Sequence, residues 1–264
     1  MKKILYLFFI PFLFAGCSQE TSPLPEPSPV GGILSVRSQA ALSNEPQGAA
    51  EIPGKATTRA AGDVLTYTFE AWTRDANPRC VLHKTVTGTF SEAAFEIALV
   101  PGSYDFLFWA DYGKGHYNTA DLRQVSLAGA PYMPGGDRDA FAGKLENVHW
   151  NGGNGIGTTL TRPLARLTMQ NTTPFTDAKA VSVEYRGIPT RYDVLSGEAS
   201  DPRTVTPTFP NTAAGSVTVG EDFLFVPSDG QNAALAMTVG GVTKTLDALQ
   251  LEPNYQTNVT ATFE

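Results

Sequence analysis

Apolar side chains recur at every second residue over most of this chain, and this spacing is what most limits how it can fold. The run 64–72 (VLTYTFEAW) is the clearest example, with its odd-numbered residues on one side, and the alternation returns at 181–186, 235–239 and 255–263. A period of two is typical of β-strands, and no eleven-residue window carries the stripe of an amphipathic helix. Glycine, proline and asparagine separate the runs, as in short strands joined by turns. The sequence therefore predicts an all-β protein of the sandwich type.

Two domains are expected from the length of the chain and from one glycine-rich segment. The 264 residues are enough for two ordinary domains. Residues 151–157 (NGGNGIG) are interpreted as a flexible connection between them. This divides the folded part of the chain into 60–157 and 158–264, two β-sandwich domains of about 100 residues each.

The N-terminus has the pattern of a bacterial lipoprotein signal. Two lysines precede an apolar stretch over residues 4–15, which is too short for the about 20 residues that cross a bilayer. Ala15-Gly16-Cys17 fits cleavage after residue 16 and a lipid on Cys17, which would anchor the protein to a membrane. The simpler alternative is an ordinary signal peptide with an incidental cysteine. Residues 18–30 carry alternating prolines and are predicted to be an extended spacer.

One further strand is predicted upstream of the first domain, within residues 17–59. The segment Gly32–Leu42 alternates, and a polar stretch that ends in KATTRAAG (55–62) follows it. A cut in a loop of small residues around one arginine would detach this strand from the rest of the chain. The alternative is a plain first strand with a long loop. The apolar residues of this leader strand are Leu34, Val36, Ala40 and Leu42.

Charge and cysteine content exclude two classes of protein. The net charge is −7, and no basic cluster occurs, which argues against nucleic-acid binding. The chain has two cysteines, and if Cys17 carries a lipid, Cys80 has no partner for a disulfide. Cys80 is predicted to be a small buried hydrophobic residue.

No pattern of catalytic or metal-binding residues is recognisable, so the sequence predicts neither an enzyme nor a cofactor. His83, His116 and His149 lack the spacing of a zinc site, and no G-x-S-x-G occurs. Residues 137–139 (DRD) are interpreted as a solvated loop and not as a calcium site.

Two other groups of residues each have both a structural and a functional interpretation. The aromatic run 104–110 (YDFLFWA) is predicted to lie in the core, although Phe106, Phe108 and Trp109 could also form a platform for sugars. Arg162 and Arg166 flank Pro163, and they are expected either to bridge the two domains by salt bridges or to be solvated.

Several stretches taken together resemble the fimbrillin family, the lipoprotein pilins of Bacteroidetes-type bacteria, and in particular its fimbrillin-like lipoproteins. The resemblance covers most of residues 60–264 and the segment around Cys17. The stretches are TTRA (57–60), VPGSYDF (100–106), FWADY (108–112), YNT (117–119), LTRPLARL (160–167), PTRYDVLSG (189–197) and LEPNYQTNV (251–259).

The resemblance implies two tandem transthyretin-like sandwich domains of the Greek-key type. It also implies that an Arg-specific protease cuts after Arg59, so that Ala60 becomes the N-terminus and the leader strand is lost. A strand from another subunit, in a homo- or heteropolymer, would then fill the empty groove. The C-terminal run with Tyr255, Val259 and Phe263 is a candidate donor, or equally a fixed strand of its own domain.

The function implied is that of a pilus subunit held in the outer membrane by the lipid on Cys17 and exposed at the cell surface or in a fimbrium. The alternative is a surface lipoprotein that does not polymerise and binds a glycan or a host ligand.

Overall fold

The computed structural model describes residues 28–38, 64–90, 92–129 and 131–263. Within these residues the chain forms β-strands and one short 3-10 turn, which confirms the predicted all-β class. The strands of the first half are β1 Val30–Ser38, β2 Val64–Thr73, β3 Cys80–Thr89, β4 Ala93–Leu99, β5 Gly102–Asp111, β6 Tyr117–Asn118, β7 Val125–Leu127, β8 Ala140–Trp150 and β9 Gly153–Leu160, with the 3-10 turn at Gly136–Arg138.

The second half repeats the arrangement of the first. Its strands are β10 Leu164–Asn171, β11 Val181–Asp193, β12 Glu198–Val205, β13 Thr218–Phe225, β14 Gln231–Val239, β15 Val242–Leu251 and β16 Gln256–Ala261. In the first sandwich a sheet β4-β1-β9 packs on a sheet β3-β2-β5-β8, and in the second β13-β10-β16 packs on β12-β11-β14-β15. Strand for strand, the two sandwiches have the same order.

The core of the first sandwich forms from the alternation seen in the sequence. Leu65, Tyr67, Phe69 and Ala71 of β2 are fully buried, as predicted. The ring of Phe69 lies 5.2 Å from the ring of Phe106 and 5.5 Å from that of Phe95, measured between centroids. The aromatic run in β5 therefore belongs to the interior, and it is not a sugar platform.

A third apolar cluster joins the two sandwiches. It includes Trp109 of β5, Tyr117 of β6, Tyr192 of β11 and Phe225 of β13. The segment between β5 and β8, called the insert here (residues 112–139), reaches across to the second sandwich, where β7 pairs with the end of β11. The structure has two short strands and one 3-10 turn there.

The glycine-rich segment 151–157 does not connect the two sandwiches. Residues 153–160 form β9, which pairs with β1 in the first sandwich. The chain crosses to the second sandwich at residues 161–163. Gly157 is needed for close packing, because a Cβ on it would lie 2.7 Å from the backbone oxygen of Ser35.

Two smaller predictions were also wrong. Cys80 is exposed, because it begins β3, which is an edge strand of its sheet. Residues 138 and 139 are not solvated, since Arg138 and Asp139 are fully buried. Among the described residues, no helix has the length and apolar character needed to span a membrane.

Candidate strand-binding groove

The first strand lies in the middle of a sheet, although it comes first in the chain and is far in sequence from its neighbours. β1 pairs antiparallel with β4, from Val30 opposite Leu99 to Val36 opposite Ala93. On its other edge it pairs in parallel with β9, where the register shifts between Ile33 and Leu34. Both edges of β1 are therefore hydrogen-bonded. Without β1, β4 and β9 would each present an unpaired edge to a gap one strand wide.

The side chains of β1 complete the apolar core of the first sandwich. Leu34 and Val36 have no exposed surface. Ile33, whose side chain points to the opposite face of β1, is 39% exposed. Leu34 and Val36 belong to the same cluster as Phe95, Phe106 and Trp150. Burying side chains of this size contributes roughly 1.5–3 kcal/mol each.

The backbone of β1 lies close to β9 and to Trp150 at Gly32. A Cβ at this position would lie 2.0 Å from the carbonyl oxygen of Gly153 and 2.5 Å from Cη2 of Trp150. The indole Nε1 of Trp150 also donates a hydrogen bond to the carbonyl of Val30, at 3.1 Å. The groove therefore accepts only glycine at this point. The sequence analysis did not identify Gly32 or Trp150, although a glycine inside a strand is a known signal of close backbone approach.

Several residues predicted to take part in cleavage and anchoring lie outside the described residues. These are Cys17, Ala40, Leu42, Arg59 and Ala60. Leu34 and Val36 are thus the part of the leader strand that the structure places in the groove.

The C-terminal run forms β16, which pairs in parallel with β10 in its own sandwich. The Phe263 side chain is buried, and its backbone N–H donates to Oδ1 of Asn171 at 3.0 Å. Tyr255 and Val259 are half-buried. In this structure the run is therefore a strand of its own domain, which is one of the two interpretations left open above. β16 takes the same place in the second sandwich that β9 takes in the first.

Two buried ion pairs lie where the sandwiches meet. Arg162 donates from Nε and Nη2 to the two carboxylate oxygens of Asp139, at 2.6 and 2.8 Å, and from Nη1 to Oδ1 of Asn254 at 2.7 Å. This resolves the open question for Arg162, which bridges elements of both halves. Arg166 instead pairs with Glu221 inside the second sandwich, at 2.6 Å.

The second pair joins Arg138 of the insert to Asp222 of β13. Nε of Arg138 lies 3.6 Å from Oδ1 of Asp222, and the guanidinium stacks over the Tyr132 ring at 3.8 Å. Burial raises the pKa of Asp222 to about 7, although the nearby Arg138 and the hydrogen bond from the Phe223 N–H oppose the rise. Within the described part of the chain, no three His, Cys, Asp or Glu side chains converge as a metal site would require.

Comparisons with known proteins point to one family and to a shared fold. The family model described as "Family of unknown function (DUF6562)" matches residues 36–263. No curated protein is significantly similar to the chain.

Among solved structures, a candidate polysaccharide-binding protein (DUF1812) of Bacteroides thetaiotaomicron has a TM-score of 0.55 at 10% identity, covering 82% of this chain and 78% of its own. A candidate adhesin of Bacteroides ovatus also reaches 0.55 at 10% identity, with 88% of each chain covered. The tip fimbrial protein Mfa3 of Porphyromonas gingivalis, truncated at its C-terminus, has a TM-score of 0.46 at 14% identity, covering 83% and 81%. The first two likenesses show the same fold.

Proposed function

This chain belongs to the DUF6562 family of unknown function, and we propose that it is a cell-surface adhesin or fimbrial subunit that assembles by exchange of its first strand. The proposed role is structural and not catalytic. The proposal is supported by the fold, which is similar to that of a candidate adhesin and of a candidate polysaccharide-binding protein of Bacteroides.

The observation that carries the proposal is the position of β1. The strand is central in its sheet and fills an apolar groove, yet on its C-terminal side only residues 39–63 link it to β2. A cut after Arg59 would leave β1 held by two ladders and by packing alone. Such a strand is replaceable by another with the same pattern, as in other cases of β-strand addition.

The groove defines what a replacing strand must look like. It has to run antiparallel to β4 and parallel to β9, as β1 does. It needs apolar side chains at the positions of Leu34 and Val36, and glycine at the position of Gly32. Since β16 is held in its own sandwich, a donor strand taken from that run would first have to leave β10.

The remaining parts of the proposal concern residues on either side of β1 in the chain. A lipid on Cys17 would hold the subunit in the outer membrane, and an Arg-specific protease would release it for assembly with other subunits by cutting between Arg59 and Ala60. This order protects the groove until assembly, because an unfilled sheet edge promotes aggregation.

The test is N-terminal sequencing of the protein from native cells, together with Arg59→Ala. We expect the wild-type protein to begin at Ala60 in the assembled fraction and to form heat-sensitive ladders on a gel. Arg59→Ala should keep its leader and remain unassembled while its melting temperature stays at the value of the uncleaved protein. The matched control is Arg79→Ala, which removes an exposed loop arginine and should assemble normally. If Arg59→Ala protein is found in fibres, strand exchange after cleavage is not the assembly mechanism.

A further inference from the structure

A group of buried polar side chains lies where the insert meets the second sandwich. Arg138 and Tyr132 belong to the insert, Asp222 to β13 and Tyr185 to β11. The side chains of Arg138, Asp222 and Tyr185 are fully buried, and so is the hydroxyl of Tyr132. The two tyrosine hydroxyls face the Asp222 carboxyl without reaching hydrogen-bond geometry. These four residues are called the arginine cluster here.

Hydrogen-bond donors outnumber acceptors in the arginine cluster. In the described part of the chain, Nε, Nη1 and Nη2 of Arg138 have no hydrogen-bond partner, and neither have the hydroxyls of Tyr132 and Tyr185. The 3.6 Å between Nε of Arg138 and Oδ1 of Asp222 is too long for a hydrogen bond. Oδ1 already accepts the Phe223 N–H, which leaves Oδ2 of Asp222 as the open acceptor. Buried polar groups are nearly always paired in proteins, so these atoms call for a further partner.

The charge of Arg138 also lacks a permanent counterion. The carboxylate of Asp139, the next residue, has both oxygens bonded to Arg162. Asp222 faces Arg138, but burial raises its pKa to about 7, so that below this pH the carboxyl is protonated and neutral. A protonated carboxyl also gains a donor. In acid solution the arginine cluster is therefore a buried positive charge surrounded by donors.

An anion balances this arrangement better than water does. Burial raises the pKa values of the Tyr132, Tyr185 and Tyr117 hydroxyls, so these neighbours stay neutral and supply no negative charge. A water molecule brings two donors with its two acceptors and no charge, whereas an anion brings charge and accepts only. Guanidinium and phenol groups both donate to anions. Because the site is buried, the ion has to be small and to lose its water, which favours a halide over sulfate or phosphate.

We propose that the arginine cluster binds one halide ion, chloride under ordinary salt conditions, held by the Arg138 guanidinium and by the hydroxyls of Tyr132 and Tyr185. When Asp222 ionises, its carboxylate becomes the counterion of Arg138, so that this charge and the halide compete for one place. The bound ion would link the insert to β11 of the second sandwich. This inference does not depend on strand exchange, since the groove of β1 lies in the first sandwich.

Bromide locates the site, because it replaces chloride and scatters anomalously. Crystals of the uncleaved protein are grown in sodium bromide at about pH 5, below the pKa of Asp222, and measured at the bromine absorption edge. We expect an anomalous peak in contact with the Arg138 guanidinium and the Tyr185 hydroxyl. Water density at this place, with no anomalous peak, would overturn the proposal.

The competition with Asp222 is tested by melting temperatures in sodium chloride and in sodium gluconate of equal ionic strength, because gluconate is too large for a buried site. For the wild type at about pH 5, chloride should raise the melting temperature by about 2–4 °C relative to gluconate. At about pH 8 this difference should disappear, because Asp222 is then ionised. Asp222→Asn should keep the difference at both pH values, since the amide does not ionise. Arg138→Met should lose it at both.

Two tyrosine variants provide a matched comparison. Tyr185→Phe removes one donor from the arginine cluster and should reduce the chloride effect. Tyr255→Phe, its control, changes a half-buried tyrosine before β16 and should respond to chloride as the wild type does.

If Arg138→Met fails to fold, Asp222→Asn decides the outcome, because its prediction concerns how the chloride effect depends on pH and not how stable the variant is. General effects of salt on stability would act alike at both pH values. The proposal is therefore wrong if the wild type shows the same difference between chloride and gluconate at both pH values. It is also wrong if Asp222→Asn loses the difference at the higher pH. Neither result depends on whether Arg59 is cleaved, so both leave the proposed strand exchange untouched.

Discussion

At the scale of single residues, Asp222 shows what burial does to a charged group in this protein. Its carboxyl is fully buried beside Arg138 and Tyr132, and its pKa is raised from 3.8 to about 7. Between these two values the folded protein keeps a proton that the unfolded chain has released. The free energy of unfolding therefore falls as the pH rises from about 4 to about 7, because the folded state binds more protons in this window.

Asp222→Asn should remove this part of the pH dependence, since the amide does not titrate. We expect the free energy of unfolding of the wild type to fall more steeply than that of Asp222→Asn between pH 4 and pH 7, as measured by urea denaturation. Other carboxyls with raised pKa values, such as Asp111, contribute equally to both proteins and cancel in the difference. Parallel curves for the two proteins would show that Asp222 ionises at an ordinary pH in the folded state.

Sequence patterns predicted the apolar residues far better than the buried charges. The alternation at 65–71 identifies the core face of β2 because a strand turns successive side chains to opposite sides. Nothing local marks Arg138 and Asp139 as buried, since a charged pair after two glycines is usually solvated. Their burial depends on a surface of the second sandwich that lies many residues away.

At the scale of elements, the two neighbouring glycines of β1 have different surroundings, and this provides a test of its packing. A Cβ on Gly32 would meet backbone at 2.0 Å, whereas one on Gly31 would be no closer than 3.7 Å to the Ile97 oxygen. Gly32→Ala should therefore lower the free energy of unfolding by about 1–3 kcal/mol, as overpacked sites do. Gly31→Ala, the matched control, should change it by less than about 0.5 kcal/mol. Equal effects in urea denaturation would mean that β1 does not seat against β9 as described.

Strands could be predicted from the sequence, but their partners could not. The run that begins β1 alternates and was recognised as a strand, yet its pairing with β9 joins residues more than 100 positions apart. β9 itself was missed, because its glycines resemble a linker. Of these, Gly157 is required by the close approach of β1, because a Cβ on it would lie 2.7 Å from the backbone oxygen of Ser35. The pairing of β7 with the end of β11 is likewise set by contact between the two sandwiches.

At the scale of the whole molecule, the ion pair between Arg162 and Asp139 lies where the two sandwiches meet. Both side chains are 1% exposed, so that Arg162→Met would leave a buried carboxylate without its partner. Breaking a buried pair in this way costs about 3–5 kcal/mol. We expect calorimetry of Arg162→Met to show two separate unfolding transitions, one for each sandwich. The first of them should occur at a lower temperature than unfolding of the wild-type protein.

Arg166→Met is the control for this prediction. Its pair with Glu221 is partly exposed and lies within the second sandwich. The free energy of unfolding should therefore fall by about 1 kcal/mol or less, and the two sandwiches should still melt in one transition. A single transition in Arg162→Met, shifted no further than in Arg166→Met, would show that the third apolar cluster alone couples the sandwiches.

The central position of β1 also determines how the first sandwich bears tension. A force applied to the chain before Val30 acts along the strand, with one ladder to β4 and another to β9 on either side. The hydrogen bonds of both ladders are then loaded in shear together, and they do not open one at a time as they would in a hairpin pulled from its end. Forced unfolding depends on the rate of this step. The strand that exchange would remove is thus also the one that bears a force applied to the chain on its N-terminal side.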